Sequence, residues 1–103
     1  MAAKKKAKKT QVLNVNHPGK TTRIPQAKYD LVSAAILAVV PGENGGVLFT
    51  RLTGLVKDRL TAKERDAVGS VDWYVTAVKL DLEARKVIER VPDSSPQRVR
   101  RVR

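Results

Sequence analysis

A chain of 103 residues fits one domain, able to bury roughly two-thirds of its unfolded surface. With no cysteine it can form neither a disulfide nor a thiolate metal site, so packing must supply its stability, and the reading is cytoplasmic. The formal net charge of +11 looks like a nucleic-acid signature, and where the charge sits matters more than its sum.

The charge is unevenly placed. Residues 1–10 hold five lysines and no acid, residues 98–103 hold four arginines and no acid, and residues 11–97 hold twelve basic and ten acidic side chains. The body is therefore nearly neutral and its two flanks are basic. Residues 1–10 carry the charge of an export signal, but the polar stretch 11–16 that follows is no apolar export region. No later run approaches the roughly 20 apolar residues needed to cross a bilayer, so no membrane association is expected.

In chain order, residues 1–10 read as a disordered basic tail: a solubilising segment, or an arm in which Lys4, Lys5, Lys6, Lys8 and Lys9 pair with phosphates and release counterions. Residues 11–103 then form a single domain. Residues 11–15 and 21–24 suit two short strands around Asn16-His17-Pro18-Gly19, a turn composition, so an N-terminal hairpin is plausible. His17 has no second histidine or cysteine to complete a ligand set, and neither a metal nor a cofactor is expected. Residues 26–40 form a helix opened by Pro25 and closed by Pro41-Gly42, apolar over more than half its circumference and so packed on two sides. Val47, Leu48 and Phe49 can form a strand, after which Thr50 caps a helix over 51–60 with Leu52, Leu55 and Val56 inward. Gly54 weakens that helix and would permit a close approach of another. Thr61-Ala62-Lys63-Glu64 matches a capping box.

Ser70 is a suitable N-cap for a helix over 70–86, where Val71, Val75, Val78 and Leu82 recur at spacings of four, three and four and share one face. Val87, Ile88 and Val91 alternate with charges as in a strand. Pro92-Asp93-Ser94-Ser95-Pro96 favours a reversal, and residues 97–103 alternate again, with arginines outward. The run from Leu82 to Arg90, aliphatics after a polar stretch at the end of a helix, resembles the junction of recognition helix and wing in winged helix-turn-helix domains. The order helix, strand, helix, helix, strand, strand from Pro25 onward extends that resemblance. It implies a mainly α fold with a small β-sheet (α+β), a three-helix core and a C-terminal β-hairpin wing, with residues 47–49 pairing beside the hairpin. The chain also resembles small bacterial proteins of uncharacterised function in which Ala27-Lys28-Tyr29-Asp30 opens the first helix and Trp73-Tyr74 precedes Leu80-Asp81-Leu82-Glu83-Ala84-Arg85, a likeness that carries no assigned activity.

The winged-helix resemblance implies that the last helix enters the major groove, yet its outer face departs from the pattern. Opposite the valines stand Trp73, Ala77, Leu80 and Ala84, with Asp72, Thr76 and Lys79 alongside, and the usual base readers are missing from this half of the helix. Three accounts follow. Trp73 and Leu80 are core covered by the hairpin or a loop; or Trp73, Ala77, Leu80 and Ala84 form a homodimer or protein-partner interface; or DNA is held through phosphates, with Thr76 and Lys79 adding limited groove contact. The expectation is a DNA- or polyanion-binding domain of low sequence specificity, using the five tail lysines and the wing arginines Arg98, Arg100, Arg101 and Arg103. The alternative is an interaction module working through the apolar stripe. An enzyme is not expected: there is one histidine, no glycine-rich phosphate loop and acids interleaved with bases as on solvated faces, and no small-molecule substrate is evident.

Overall fold

A computed structural model describes residues 8–42 and 46–102. The fold is α+β: four helices and two small antiparallel sheets. Strands β1 (Lys9–Leu13) and β2 (Thr21–Pro25) pair antiparallel, Lys9 opposite Pro25 and Leu13 opposite Thr21. The strand therefore begins at Lys9, inside the stretch expected to be a disordered tail. The turn between the strands is held by the Asn14 side chain, which accepts from the Asn16 amide at 2.9 Å, and by Gly19, whose φ of +91° suits a residue without Cβ. Val12 and Ile24 face inward and are buried.

Helix α1 (Gln26–Val39) follows directly from Pro25, whose φ of −58° already suits a helical entry. Its buried residues Val32, Ala35 and Ile36 face the other helices, and it touches all three of them as well as the N-terminal hairpin. Strand β3 (Val47–Leu48) passes without a break into α2 (Phe49–Arg59). The helix starts earlier than Thr50 would have capped it: Leu48 holds the cap position and no side chain bonds there. Gly54 is exposed, and a Cβ added to it would meet nothing within 4 Å, so no close helix approach depends on it. Gly54→Ala should accordingly stabilise the protein by about 1 kcal/mol, seen as a higher thermal midpoint.

The capping box forms as its sequence predicts. Thr61 Oγ1 accepts from the Glu64 amide at 3.1 Å and Glu64 Oε1 accepts from the Thr61 amide at 2.8 Å, opening α3 (Ala62–Val68). Arg65 reaches back to donate to the Lys57 and Leu60 carbonyls, closing the end of α2. Helix α4 (Val71–Ala84) begins without the expected cap, since the Ser70 hydroxyl bonds no backbone amide of the first turn. It ends two residues before Lys86, because Lys86 adopts φ +64° and the amides of Val87 and Lys86 turn back to the Leu82 and Glu83 carbonyls.

Strands β4 (Ile88–Arg90) and β5 (Arg98–Arg101) form the hairpin expected after the last helix, and β3 pairs on the far side of β5, giving the order β3-β5-β4. Val47 lies opposite Val99, and Val99 also faces Arg90. Ile88 and Val99 carry the core formed by Leu52, Val56, Val75 and Val78 into this sheet.

Helix α4 is also buried where its sequence is charged. Asp81, with no exposed surface, accepts from the Leu13 amide (2.8 Å), the Tyr29 hydroxyl (2.5 Å) and the Arg85 Nε (2.9 Å), tying β1 and α1 to α4. Arg85 also donates to the Gln11 carbonyl at 3.1 Å. Burial, reinforced by the hydrogen bond and charge of Asp81, pushes the Tyr29 hydroxyl up to about 12. On the wing side, Glu83 pairs with the Arg90 Nε at 2.9 Å and the Lys79 Nζ at 3.3 Å, and Lys79 donates to Gln97 Oε1 at 2.6 Å. Asp81 and Glu83 are thus internal clamps, contrary to the solvated faces expected for such acids.

Candidate nucleic-acid interface

Two of the wing arginines, Arg100 and Arg101, are committed within the fold. Arg100 Nε pairs with Glu89 Oε2 across the hairpin at 2.7 Å, and Arg101 Nε donates to the Val40 carbonyl at 2.9 Å. Arg98 is half-buried. Lys79, expected beside the outer face of the last helix, is turned inward and only 2 % exposed, its ammonium 4.3 Å from the centre of the Phe49 ring. Burial lowers its pKa, with Glu83 pulling the other way. A groove contact by Lys79 is incompatible with that position. Lys4, Lys5, Lys6 and Arg103 lie outside the described residues.

Exposed lysines and arginines without an ion pair include Arg51, Arg59, Lys63 and Lys86, and the N-terminal hairpin and its approach carry a further set in a stretch free of acids. No acid precedes Asp30: residues 1–29 contain eight lysines and arginines and neither Asp nor Glu. Among the described residues, Lys8, Lys9, Lys20 and Arg23 are exposed and make no ion pair, while Val12 and Ile24 anchor the ribbon beneath them. Lys9, Gln11 and Leu13 share one face of β1 by the period of two, and Gln11 stands opposite Arg23. Lys20 and Arg23 were not singled out from the sequence. The signal available for them was the absence of acids across the first 29 residues, which a division at residue 10 split in two.

The outer stripe of α4 lies beside this ribbon. Trp73 is 49 % exposed, and Ala77 and Leu80 are half-buried. They line a groove of about 260 Å³ whose other wall is the end of the hairpin, with Leu13, Lys20, Thr21 and Thr22. The stripe is thus neither wholly core nor wholly open: the hairpin leans over its middle and leaves the indole at the rim. Ala84, farther along, lines a separate cleft against Leu13 and Pro18. Thr76 shares the groove, but its hydroxyl donates to the Asp72 carbonyl at 3.1 Å. The Trp73 ring meets Tyr74 edge to face at 4.9 Å, and the Lys28 ammonium lies 5.1 Å from the Tyr74 ring centre. Asp72, which would repel a phosphate near the start of the helix, is held by Lys57 at 2.9 Å.

Among the described residues no three His, Asp or Glu side chains cluster so as to hold a metal, and no helix is long and apolar enough to cross a membrane. The Family of unknown function (DUF6958) matches residues 9–99, from the first strand into the last. No curated protein and no solved structure matches the chain.

Proposed function

We propose that the chain, which belongs to the Family of unknown function (DUF6958), is a non-enzymatic nucleic-acid-binding protein that grips phosphates with little sequence preference, chiefly through its acid-free N-terminal ribbon. The observation that carries this reading is the set of exposed cations Lys8, Lys9, Lys20 and Arg23, raised on a hairpin that is itself clamped to α4. The wing contributes less, because Arg100 and Arg101 already have internal partners. A winged-helix reading of residues 26–101 is supported by the β3-β5-β4 order, in which the strand after the first helix joins the outer side of the hairpin. Helix α4 is not proposed to read duplex bases. The major groove, about 12 Å wide, admits a bare helix, whereas α4 carries β1 along its flank.

The test is the salt dependence of duplex binding by the full chain. With about five phosphates contacted, log K should fall against log salt with a slope of roughly −4 to −5. Replacing Lys8, Lys9, Lys20 and Arg23 together by Gln should make that slope shallower by about 3 and weaken binding uniformly across sequences. Unchanged affinity and slope in that variant, or binding indifferent to salt, would contradict the proposal.

A further inference from the structure

We infer that the groove between α4 and the N-terminal hairpin takes an unpaired base of single-stranded nucleic acid, stacked on Trp73, while the ribbon holds the adjoining phosphates. This rests on the nucleic-acid reading above and specifies the form of its ligand. A large indole left half exposed beside the half-buried Ala77 and Leu80 leaves apolar surface in water that a ligand can cover. Ala77, one turn along the helix, and Leu80 beyond it line the groove beside the ring.

The lining selects the occupant. The wall across from the indole is built from Lys20, Thr21 and Thr22, with Asn14 at the turn, and no acid lines the groove. An apolar floor with an aromatic rim, polar residues on one wall and a lysine among them matches a nucleotide: a flat face, polar base edges and a phosphate. Duplex bases are already stacked and cannot reach the indole without being unpaired, so the groove discriminates in favour of single strands.

Trp73 is the only tryptophan in the chain, which makes its fluorescence a direct reporter. The full chain should be titrated with oligothymidylate and oligouridylate and, separately, with polyphosphate of matched charge, which has phosphates but no bases. Both oligonucleotides should quench Trp73 and polyphosphate should not, although all three bind. Trp73→Ala should weaken oligonucleotide binding by about tenfold or more and leave polyphosphate binding unchanged, with Trp73→Phe intermediate. Circular dichroism of each variant reports that the fold persists. Equal quenching by polyphosphate, or oligonucleotide binding unaffected by Trp73→Ala, would overturn the inference and leave the phosphate-binding reading standing. A dimer that Trp73→Ala converts to a monomer, with oligonucleotide affinity unchanged, would overturn it in favour of a protein interface. Failure to bind any of the three polyanions at low salt would overturn the phosphate reading itself.

Discussion

Asp81→Ala should destabilise the protein by about 3 kcal/mol, measured as a loss in urea unfolding free energy. Removing one member of a buried charged cluster generally costs roughly 3–5 kcal/mol, because the remaining partners are left dry and unpaired. Here the lower end applies. Arg85 is 44 % exposed along its side chain and can turn to water, so the cost falls mainly on the Leu13 amide and the Tyr29 hydroxyl. Asp81→Asn keeps an acceptor for the Leu13 amide and should cost less than Ala, the step from wild type to Asn measuring the charge and the step from Asn to Ala the retained hydrogen bond. The cluster also has a pH signature. Tyr29 keeps its proton to about pH 12 in the folded chain against an ordinary value of 10.0, so the folded state binds more protons than the unfolded state between those values. Its contribution to stability is fully present below pH 10 and is lost as pH rises through about 12. Asp81→Ala removes two causes of the upward shift and retains the largest, burial, so this alkaline loss should shrink without disappearing. A variant that unfolds with unchanged free energy at neutral pH would show that the cluster does not hold the hairpin in place.

The second large effect is expected at Gly46. Its φ of +63° is strained for a residue with Cβ, and an added Cβ would stand 2.4 Å from the Val99 carbonyl oxygen. Backbone cannot swing aside as a flexible side chain can, and Val99 lies in β5, hydrogen-bonded on both sides by β3 and β4. Gly46→Ala should therefore cost roughly 2–4 kcal/mol, combining left-handed strain of about 1–2 kcal/mol with an overpacking penalty of similar size. Gly19→Ala is the matched control, since Gly19 also has a positive φ, at +91°, but open space around its Cβ position, so it should show the strain alone. Equal losses at the two glycines would rule out the contact with Val99 as a cause.

The parts of this fold that depend on local chemistry were legible in the sequence. The first helix was placed within a residue of its observed end, the Thr61/Glu64 box formed atom for atom, and both hairpins lie where turn residues separate alternating runs. The failures come from residues whose neighbours lie far along the chain. Periodicity puts Lys79 alongside the outer stripe of α4, and only Gln97 and Glu83 explain why it is buried instead. Asp81 reads as a surface charge until Leu13 and Tyr29, 68 and 52 positions away, are brought to it. The start of α2 was misplaced because Val47, Leu48 and Phe49 are equally suited to a strand, and pairing with β5 ends after two of them. For the candidate interface, charge counting found the basic flanks but could not tell a committed arginine from an available lysine. That distinction needs the positions of Glu89 and the Val40 carbonyl.

The strand order has a consequence for folding. β3 and β4 do not bond to each other, and both wait for the one strand between them. Until residues 98–101 dock between them, two strand edges and the apolar side chains beneath them have no cover, and a chain caught at that stage offers those edges to any other strand it meets.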